Sequence, residues 1–260
     1  MTYLLGHDAT EQDRLFHQHA LWRGTLLPTL EEVGVRRGAS VLEVGCGTGV
    51  LLADIAELVL PDGVAAGIER APDAVATARD FLGDRATVIE GDLMDADLLG
   101  PWDVVVARWV LSFVPDGGAA VARMAKALRP GGALVIQDYN HEGLGTWPVE
   151  PALVRAIDAV RAAYRARGGD LFVANRVPGM MQAAGLRVEG MGPHVMASAP
   201  GGGAFQWVER FFLDHLDHWV ADGHLSAEEA DACRAAWDRL RARPDAVLYT
   251  PMVVTIVGRA

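Results

Sequence analysis

Apolar and polar positions follow two different patterns along the middle of the chain. Short β-branched runs predict strands, and longer stretches with apolar positions three or four residues apart predict helices. The predicted strands are Ser40–Val44, Val64–Ile68, Thr87–Glu90, Asp103–Ala107 and Ala133–Asp138. The helical stretches between them are Leu51–Leu60, Pro72–Leu82 and Gly117–Leu128. Strands that alternate with helices indicate crossover connections, and therefore a mostly parallel sheet with helices on both faces.

The two ends of the chain are mainly helical. The predicted helical segments there are residues 8–34, Glu150–Arg167, Val177–Gly185, Phe205–Val220 and Ser226–Arg243, the last with a capping-box pattern at Ser226 and Glu229. Two further strands, Leu186–Glu189 and Ala246–Val257, would bring the sheet to seven. We therefore expect one doubly wound α/β domain. It would comprise an N-terminal helical cover (residues 1–34), a core (35–140) and a region (141–260) that completes the sheet and inserts helices as a lid.

The helix from Phe205 carries large apolar side chains on one face, and His215 falls among them. Such a face is typical of a cover over a pocket, and equally of ordinary core packing. The residues that could roof a pocket are Trp147, Phe172, Phe205, Phe212 and Trp219. A roof of this composition would favour an apolar or aromatic small molecule.

Composition and charge narrow the possible functions. The chain has 260 residues, 51% of them hydrophobic, and a formal net charge of −11, which disfavours nucleic acid as a partner. Lys126 is the single lysine, and no glycine loop ends in Lys-Ser or Lys-Thr, so a P-loop is excluded. Two cysteines are too few for a disulfide framework. With no signal-peptide pattern and no apolar stretch of membrane-spanning length, we expect a cytoplasmic protein without a membrane partner.

A glycine-rich turn follows the first predicted strand. The turn reads Gly45-Cys-Gly-Thr-Gly49, and its glycines would let the backbone approach a ligand at the N-terminus of the next helix. Glu69 ends the second predicted strand, which puts a carboxylate at the neighbouring strand tip, within reach of a ribose. The turn and this acid together predict a ligand that contains adenosine.

The same residues resemble motif I of the class I S-adenosylmethionine-dependent methyltransferases, an acidic residue followed by a Gly-x-Gly-x-Gly run. Glu43 and Gly45–Gly49 match that motif, and Glu69 matches the ribose-binding acid. The resemblance extends to Gly91–Leu93, Trp102–Arg108, Leu128–Gly132 and an N-terminal pattern from Tyr3 to Gln18. It implies S-adenosylmethionine as the cofactor and a small molecule as the methyl acceptor.

The resemblance also implies which residues hold the cofactor. Glu43 and the turn Gly45, Cys46 and Gly47 would lie at the methionine end, with Glu43 either touching the ligand or supporting the loop. Glu69 would bind the ribose. The residues implied at the remaining positions are Arg70, Asp92 and Leu93 around the adenine, Tyr3 and Gln18 on the cover, and Arg108 near the methyl group. Arg108 would act through its backbone carbonyl, or its side chain would hold an acidic residue. Cys46 is interpreted as a small filler of the loop and not as a nucleophile.

The catalytic residues are less defined, because methyl transfer needs alignment more than a particular side chain. His141 follows the fifth strand and is a candidate general base; a histidine in a loop can also simply be exposed. His215 is a second candidate, and a hydrogen-bonded core histidine is its alternative. No metal site is expected, since no set of ligands has recognisable spacing.

Two other functions remain open at this point. One is a protein of the same fold that binds the cofactor without methylating, or that catalyses a rearrangement. The other is an NAD-dependent oxidoreductase, although the glycine spacing is wrong and a Tyr-x-x-x-Lys pair is lacking. A homodimer is possible. The acceptor molecule and the attacked atom are not identified.

Overall fold

The computed structural model describes the backbone of residues 9–260 and the side chains of residues 15–260. The helices are α1 (Ala9–Val33), α2 (Val50–Val59), α3 (Pro72–Leu82), α4 (Gly117–Lys126), α5 (Pro151–Ala166), α6 (Val177–Ala183), α7 (Gly203–Ala221) and α8 (Ala227–Arg241). The strands are β1 (Ser40–Val44), β2 (Val64–Glu69), β3 (Thr87–Glu90), β4 (Trp102–Arg108), β5 (Leu128–Asn140), β6 (Gly145–Trp147), β7 (Arg187–His194), β8 (Ala197–Ser198), β9 (Val247–Tyr249) and β10 (Met252–Arg259). A helix follows β1, β2 and β4, as the sequence pattern predicts, whereas residues 91–101 join β3 to β4 without a helix.

Seven strands form the main sheet in the order β3-β2-β1-β4-β5-β10-β7. Strands β1 to β5 pair in parallel, and β10 runs antiparallel to both β5 and β7. The chain order reverses between β1 and β4, and ligands of doubly wound sheets bind beside the carboxyl ends of strands at such a switch point. The predicted doubly wound, mostly parallel sheet is confirmed. The proposed division into cover, core and completing region stays a prediction.

The strands are buried on both faces because helices cover both. Leu42 and Val44 of β1 belong to one apolar layer, whereas Val41 packs in the opposite layer with Val104 and Val106 of β4. Alternate residues of a strand point to opposite faces, so nearly continuous apolar runs are what a doubly covered sheet requires. This explains why the sequence shows unbroken β-branched runs and not an alternation of apolar and polar positions.

A third apolar cluster lies above the carboxyl edge of the sheet. Helices α5, α7 and α8 pack together there, and Trp22 of α1 joins them. The capping box predicted at the start of α8 is confirmed, because Ser226 Oγ accepts from Glu229 N while the Glu229 side chain accepts from Ser226 N. Among the described residues, no helix is both long and apolar enough to cross a membrane.

The last predicted strand, Ala246–Val257, is wrong as a single element. The structure divides it into β9 and β10 at Thr250-Pro251. Proline has no backbone N–H to donate to a sheet ladder, so the strand ends before it. β9 pairs instead with β6 and β8 in a separate three-stranded sheet, and only β10 joins the main sheet. Pro251 itself lines the cavity described below.

Candidate active site

The glycine turn between β1 and α2 has a left-handed backbone at each glycine. The φ angles are 68° at Gly45, 53° at Gly47 and 84° at Gly49, a region that side chains with a Cβ rarely adopt. A Cβ at Gly45 would lie 2.6 Å from Cγ2 of Val110, whereas a Cβ at Gly47 would meet nothing within 4 Å. Gly47 faces the cavity, so its missing side chain leaves room for a ligand close to the backbone.

Glu69 lies at the tip of β2, beside this turn. Its Oε2 accepts from the backbone N–H of Gly47 at 3.0 Å. Its Oε1 accepts from the backbone N–H groups of Arg70 and Ala71 at 2.8 and 2.9 Å. A carboxylate offers about four acceptor positions, so these bonds leave capacity on Oε2. The acid predicted from spacing therefore fixes the glycine turn and can still receive a hydroxyl.

The neighbouring tip of β3 brings Asp92 and Leu93 to the same cavity. Asp92 Oδ1 accepts from Met94 N at 2.9 Å, and Asp92 Oδ2 lies 3.7 Å from Nη1 of Arg70. Leu93 is buried and supplies an apolar wall. Leu93 thus offers apolar contact and Asp92 a hydrogen-bond acceptor, a combination that suits a purine.

Two ionisable side chains of opposite kind line the cavity from adjacent strands. Glu43 of β1 is only 3% exposed, and Arg108 ends β4. Burial raises the pKa of Glu43 to about 8, although Arg108 nearby favours the carboxylate. Within the described part of the chain, Glu43 Oε2 and Arg108 Nη1 are buried without a hydrogen-bond partner. A buried polar atom without a hydrogen-bond partner is energetically costly. An unpartnered acceptor and an unpartnered donor in the same cavity therefore suggest a ligand that satisfies both.

The orphaned atoms have complementary chemistry. Glu43 can accept from an ammonium, and the guanidinium of Arg108 can donate to a carboxylate. An α-amino acid carries both groups on one carbon, so this part of the cavity fits an amino-acid tail. Arg108 lines the cavity together with Glu43, and both sequence-based interpretations of Arg108 stay predictions.

Helix α1 supplies a partner for Arg108 that the sequence did not reveal. Nη2 of Arg108 lies 3.1 Å from His19 Nδ1, and His19 Nε2 lies 3.0 Å from Asp54 Oδ2 of α2. Since Arg108 can only donate, His19 carries its proton on Nε2. Burial, and then Arg108, lower the pKa of His19 to about 4, which keeps the ring neutral. Arg23 of α1 also donates to Asp54, so these contacts hold α1 next to Arg108.

The cavity has a volume of about 240 Å³ and continues from these residues into an apolar chamber. The chamber side chains, all from the described residues, are Trp109, Phe113, Tyr139, His141, Leu144, Val160, Tyr164, Leu171, Trp207, Val208, Phe211 and Phe212. Gln18 Oε1 of α1 accepts from Trp207 Nε1 of α7 at 3.1 Å, which joins the two covering helices. Trp109 has a φ of 53°, a strained conformation of the kind that gathers at functional sites.

The aromatic roof predicted from the sequence is mostly wrong. Of its five residues, only Phe212 lines the cavity; Trp147 is 65% exposed, and Phe205 and Trp219 are core residues. The reason is that the apolar face of α7 packs on α8, where Phe205 meets Trp237 at 5.4 Å. A different part of α7, with Trp207 and Phe211, faces the chamber.

The two predicted catalytic histidines have different positions. His141 lines the chamber, but Arg161 Nε donates to its Nδ1 at 3.4 Å, and burial lowers its pKa to about 3. Both facts argue against the general-base role. His215 is buried outside the cavity, with Nδ1 at 2.7 Å from the Phe211 carbonyl, so it is a hydrogen-bonded core histidine. We do not assign catalysis to it.

Three further residues are predicted at the cofactor site, namely Cys46, Gln18 and Tyr3. Cys46 lies against Gly67, where a Cβ would be 2.6 Å from its Sγ, and burial raises the pKa of the thiol. This agrees with a packing role and not with a nucleophile. Gln18 is buried at the cavity. Tyr3 lies outside the described residues.

Comparisons with known proteins agree with this architecture. A family model described as a methyltransferase domain matches residues 15–190. A carboxy-S-adenosyl-L-methionine synthase from Chromohalobacter salexigens is 33% identical over 136 residues, covering 48% of this chain and 50% of the relative. A demethylmenaquinone methyltransferase from Lactococcus lactis is 30% identical over 134 residues, covering 50% and 52%. The chain thus spans about half the length of these curated relatives.

A solved structure is similar over almost the whole chain. The YcgJ protein from Bacillus subtilis superposes with a TM-score of 0.60 at 14% identity, covering 91% of this chain and 98% of that one. At such low identity the likeness shows the fold alone. Because it covers 91% of the chain, the likeness extends beyond residue 190.

Proposed function

This chain belongs to the class I S-adenosylmethionine-dependent methyltransferases, and from that premise we propose that it methylates a small apolar or aromatic molecule at oxygen or nitrogen. The observation that carries the proposal is the pair of orphaned atoms on Glu43 and Arg108. They lie in one cavity with the Glu69 carboxylate and with an aromatic chamber. An amino-acid tail, a ribose and an apolar acceptor account for these three parts.

The residues present fit this cofactor. Glu69 would hold the ribose through Oε2, Asp92 and Leu93 the adenine, and Glu43 with Arg108 the methionine ammonium and carboxylate. When bound, S-adenosylmethionine supplies a methyl group activated by a positively charged sulfur. The protein's contribution is to orient the acceptor and to exclude water, which the covering helices α1 and α7 support by their Gln18–Trp207 hydrogen bond.

The direct test combines binding and turnover. Calorimetry with S-adenosylhomocysteine and with NAD in parallel should detect binding of the first ligand only. NAD has no amino-acid tail, so it would leave the unpartnered atoms of Glu43 and Arg108 without a partner. Incubation with methyl-labelled S-adenosylmethionine and a panel of phenols and aromatic amines should then transfer label. Binding of NAD alone would contradict the proposal.

A second candidate is an enzyme that converts the cofactor itself or uses it without methyl transfer. The similarity to a carboxy-S-adenosyl-L-methionine synthase favours it. Mass spectrometry of the cofactor after incubation distinguishes the two candidates. Methyl transfer yields S-adenosylhomocysteine and a methylated acceptor, whereas the second candidate yields a heavier cofactor or leaves it unchanged.

The proposal includes a cytoplasmic location and a small molecule as partner, without nucleic acid. The two free, buried cysteines, Cys46 and Cys233, are consistent with a reducing compartment. The homodimer stays a prediction.

Replacing Glu69 by Ala should weaken binding of S-adenosylhomocysteine by about 1–3 kcal/mol, the usual cost of losing hydrogen bonds to a charged group. The change removes the acceptor for the ribose and also the anchor of Gly47 N. Calorimetry would measure the effect. A 2′,3′-dideoxyribose analogue is the control, since it should lose less affinity in the variant than the natural ligand does.

The pH dependence of cofactor binding should report on Glu43. Its pKa is raised to about 8, so the ligand-free side chain is mostly protonated at neutral pH. An ammonium beside it favours the carboxylate, so binding releases a proton. We expect the affinity for S-adenosylhomocysteine to rise from about pH 6 to about pH 8 and then to level off.

Calorimetry in two buffers of different ionisation enthalpy counts the released proton. Glu43→Gln cannot ionise and should lose both the proton release and this part of the pH dependence. Proton uptake on binding by the unmodified protein would contradict the assignment of Glu43 to the ammonium.

A further inference from the structure

The charged groups of the cavity are divided unevenly between its two halves. All four carboxylates that line it in the described chain, Glu43, Glu69, Asp73 and Asp92, lie in the cofactor half. The chamber is lined by apolar and aromatic side chains, and its polar groups are the hydroxyls of Tyr139 and Tyr164, the ring of His141 and the indole N–H groups of Trp109 and Trp207. A cationic amine placed there would face no carboxylate, and burying an unpaired charge is expensive.

His141 presents a hydrogen-bond donor to this chamber. Arg161 Nε donates to His141 Nδ1 at 3.4 Å, and Arg161 Nη2 donates to the His141 carbonyl at 2.6 Å. Because Nδ1 accepts, the neutral ring carries its proton on Nε2. None of the described residues forms a hydrogen bond with His141 Nε2, and this atom is not fully buried. Because His141 lines the cavity, its Nε2–H reaches the cavity.

The surroundings of His141 hold the ring in this state. Edge-on contacts with Tyr139 and Phe172, at centroid distances of 6.2 and 6.5 Å, fix its plane. Arg161 lies over the Phe172 ring at 5.2 Å and is only 24% exposed, so its positive charge remains close behind the imidazole. Asp158 is the acid nearest to Arg161, at 3.6 Å, and is itself 63% exposed. The chamber wall at His141 is thus a donor backed by a cation.

On the basis of the proposed function, we propose that the acceptor is an aromatic phenol or an enol that binds as its oxyanion, with the oxygen accepting from His141 Nε2–H. The acceptor loses its proton to water before it binds, so the chamber needs no general base. The new oxygen–carbon bond uses an oxygen lone pair, and the electrons of the broken carbon–sulfur bond stay on sulfur. Transfer to an oxyanion therefore balances without a proton acceptor in the protein.

Three matched probes test the proposal on protein saturated with S-adenosylhomocysteine. Dinitrophenol is ionised at neutral pH, whereas dinitroanisole and dinitroaniline keep the ring and nitro groups without the negative oxygen. Calorimetry should give at least about tenfold tighter binding for dinitrophenol, the scale of a hydrogen bond to a charged group. Equal affinities, tighter binding of the aniline, or no binding of any probe would overturn the proposal.

Variants identify the source of the preference. His141→Phe keeps a ring but removes the donor and should abolish the preference, while His141→Gln, whose amide can donate, should retain part of it. Arg155→Gln is the control, because Arg155 lies on the same helix as Arg161 but pairs with Glu229 at the surface. An unchanged preference in His141→Phe would overturn the role of His141. Since S-adenosylhomocysteine binding is measured first, failure of the proposed function is seen separately.

Discussion

Replacing Gly47 by Val is expected to weaken binding of S-adenosylhomocysteine by at least about 100-fold, or about 2.8 kcal/mol. A Cβ at Gly47 enters the open part of the cavity, where the ligand would approach the backbone. The added methyl groups would occupy that space. The φ of 53° also makes a β-branched residue unfavourable at this position, so the turn would shift. The backbone N–H of residue 47 would then lose its hydrogen bond to Glu69.

Gly83→Val separates these two causes. Gly83 has a φ of 54° and also has nothing within 4 Å of its Cβ position, but it follows α3 and does not line the cavity. We expect similar losses in melting temperature for both variants and a loss of ligand affinity only for Gly47→Val. If both variants bind the ligand as the unmodified protein does, the site is wrongly assigned.

Replacing Arg108 by Met should weaken the binding of S-adenosylhomocysteine by about 100-fold, because truncating one partner of a buried charged hydrogen bond costs about 2–5 kcal/mol. Methionine keeps most of the length and the contact with Trp109, over which the guanidinium lies at 5.0 Å. The prediction is specific to the ligand's carboxylate, because that is the group assigned to Nη1.

Methylthioadenosine provides the control for Arg108→Met. It has the adenine, ribose and sulfur but lacks the amino-acid tail, so its affinity should be unchanged in the variant. Calorimetry with both ligands measures the difference directly. An equal loss for both would mean that Arg108 supports the structure of the cavity and does not hold the tail.

The meeting of the glycine turn with Glu69 could be predicted because both signals are local. The turn from Gly45 to Gly49 follows a strand directly, and Glu69 ends the next strand, so fixed strand and helix lengths bring them to one edge of the sheet. The structure adds what depends on side-chain packing. It shows that the Glu69 carboxylate already holds Gly47 N, and that Glu43 and Arg108 are orphaned.

The lining of the apolar chamber could not be predicted in the same way. The pattern along α7 identifies a buried face but does not say whether α8 or a ligand covers it, and the choice of Phe205 and Trp219 failed for that reason. Contacts between distant parts of the chain left no signal in the sequence. Arg108 and His19 are 89 residues apart, and Arg161 reaches His141 from a helix 20 residues later.

The bond between Gln18 and Trp207 limits how the molecule can be engineered. It joins the first helix to one near the end of the chain, and the T-shaped contact of Trp22 with Trp207 at 5.5 Å supports the same junction. A chimera that grafts α7 from a relative to change acceptor selectivity would leave Gln18 facing a foreign side chain. The two segments therefore have to be exchanged together, although 189 positions separate the bonded residues.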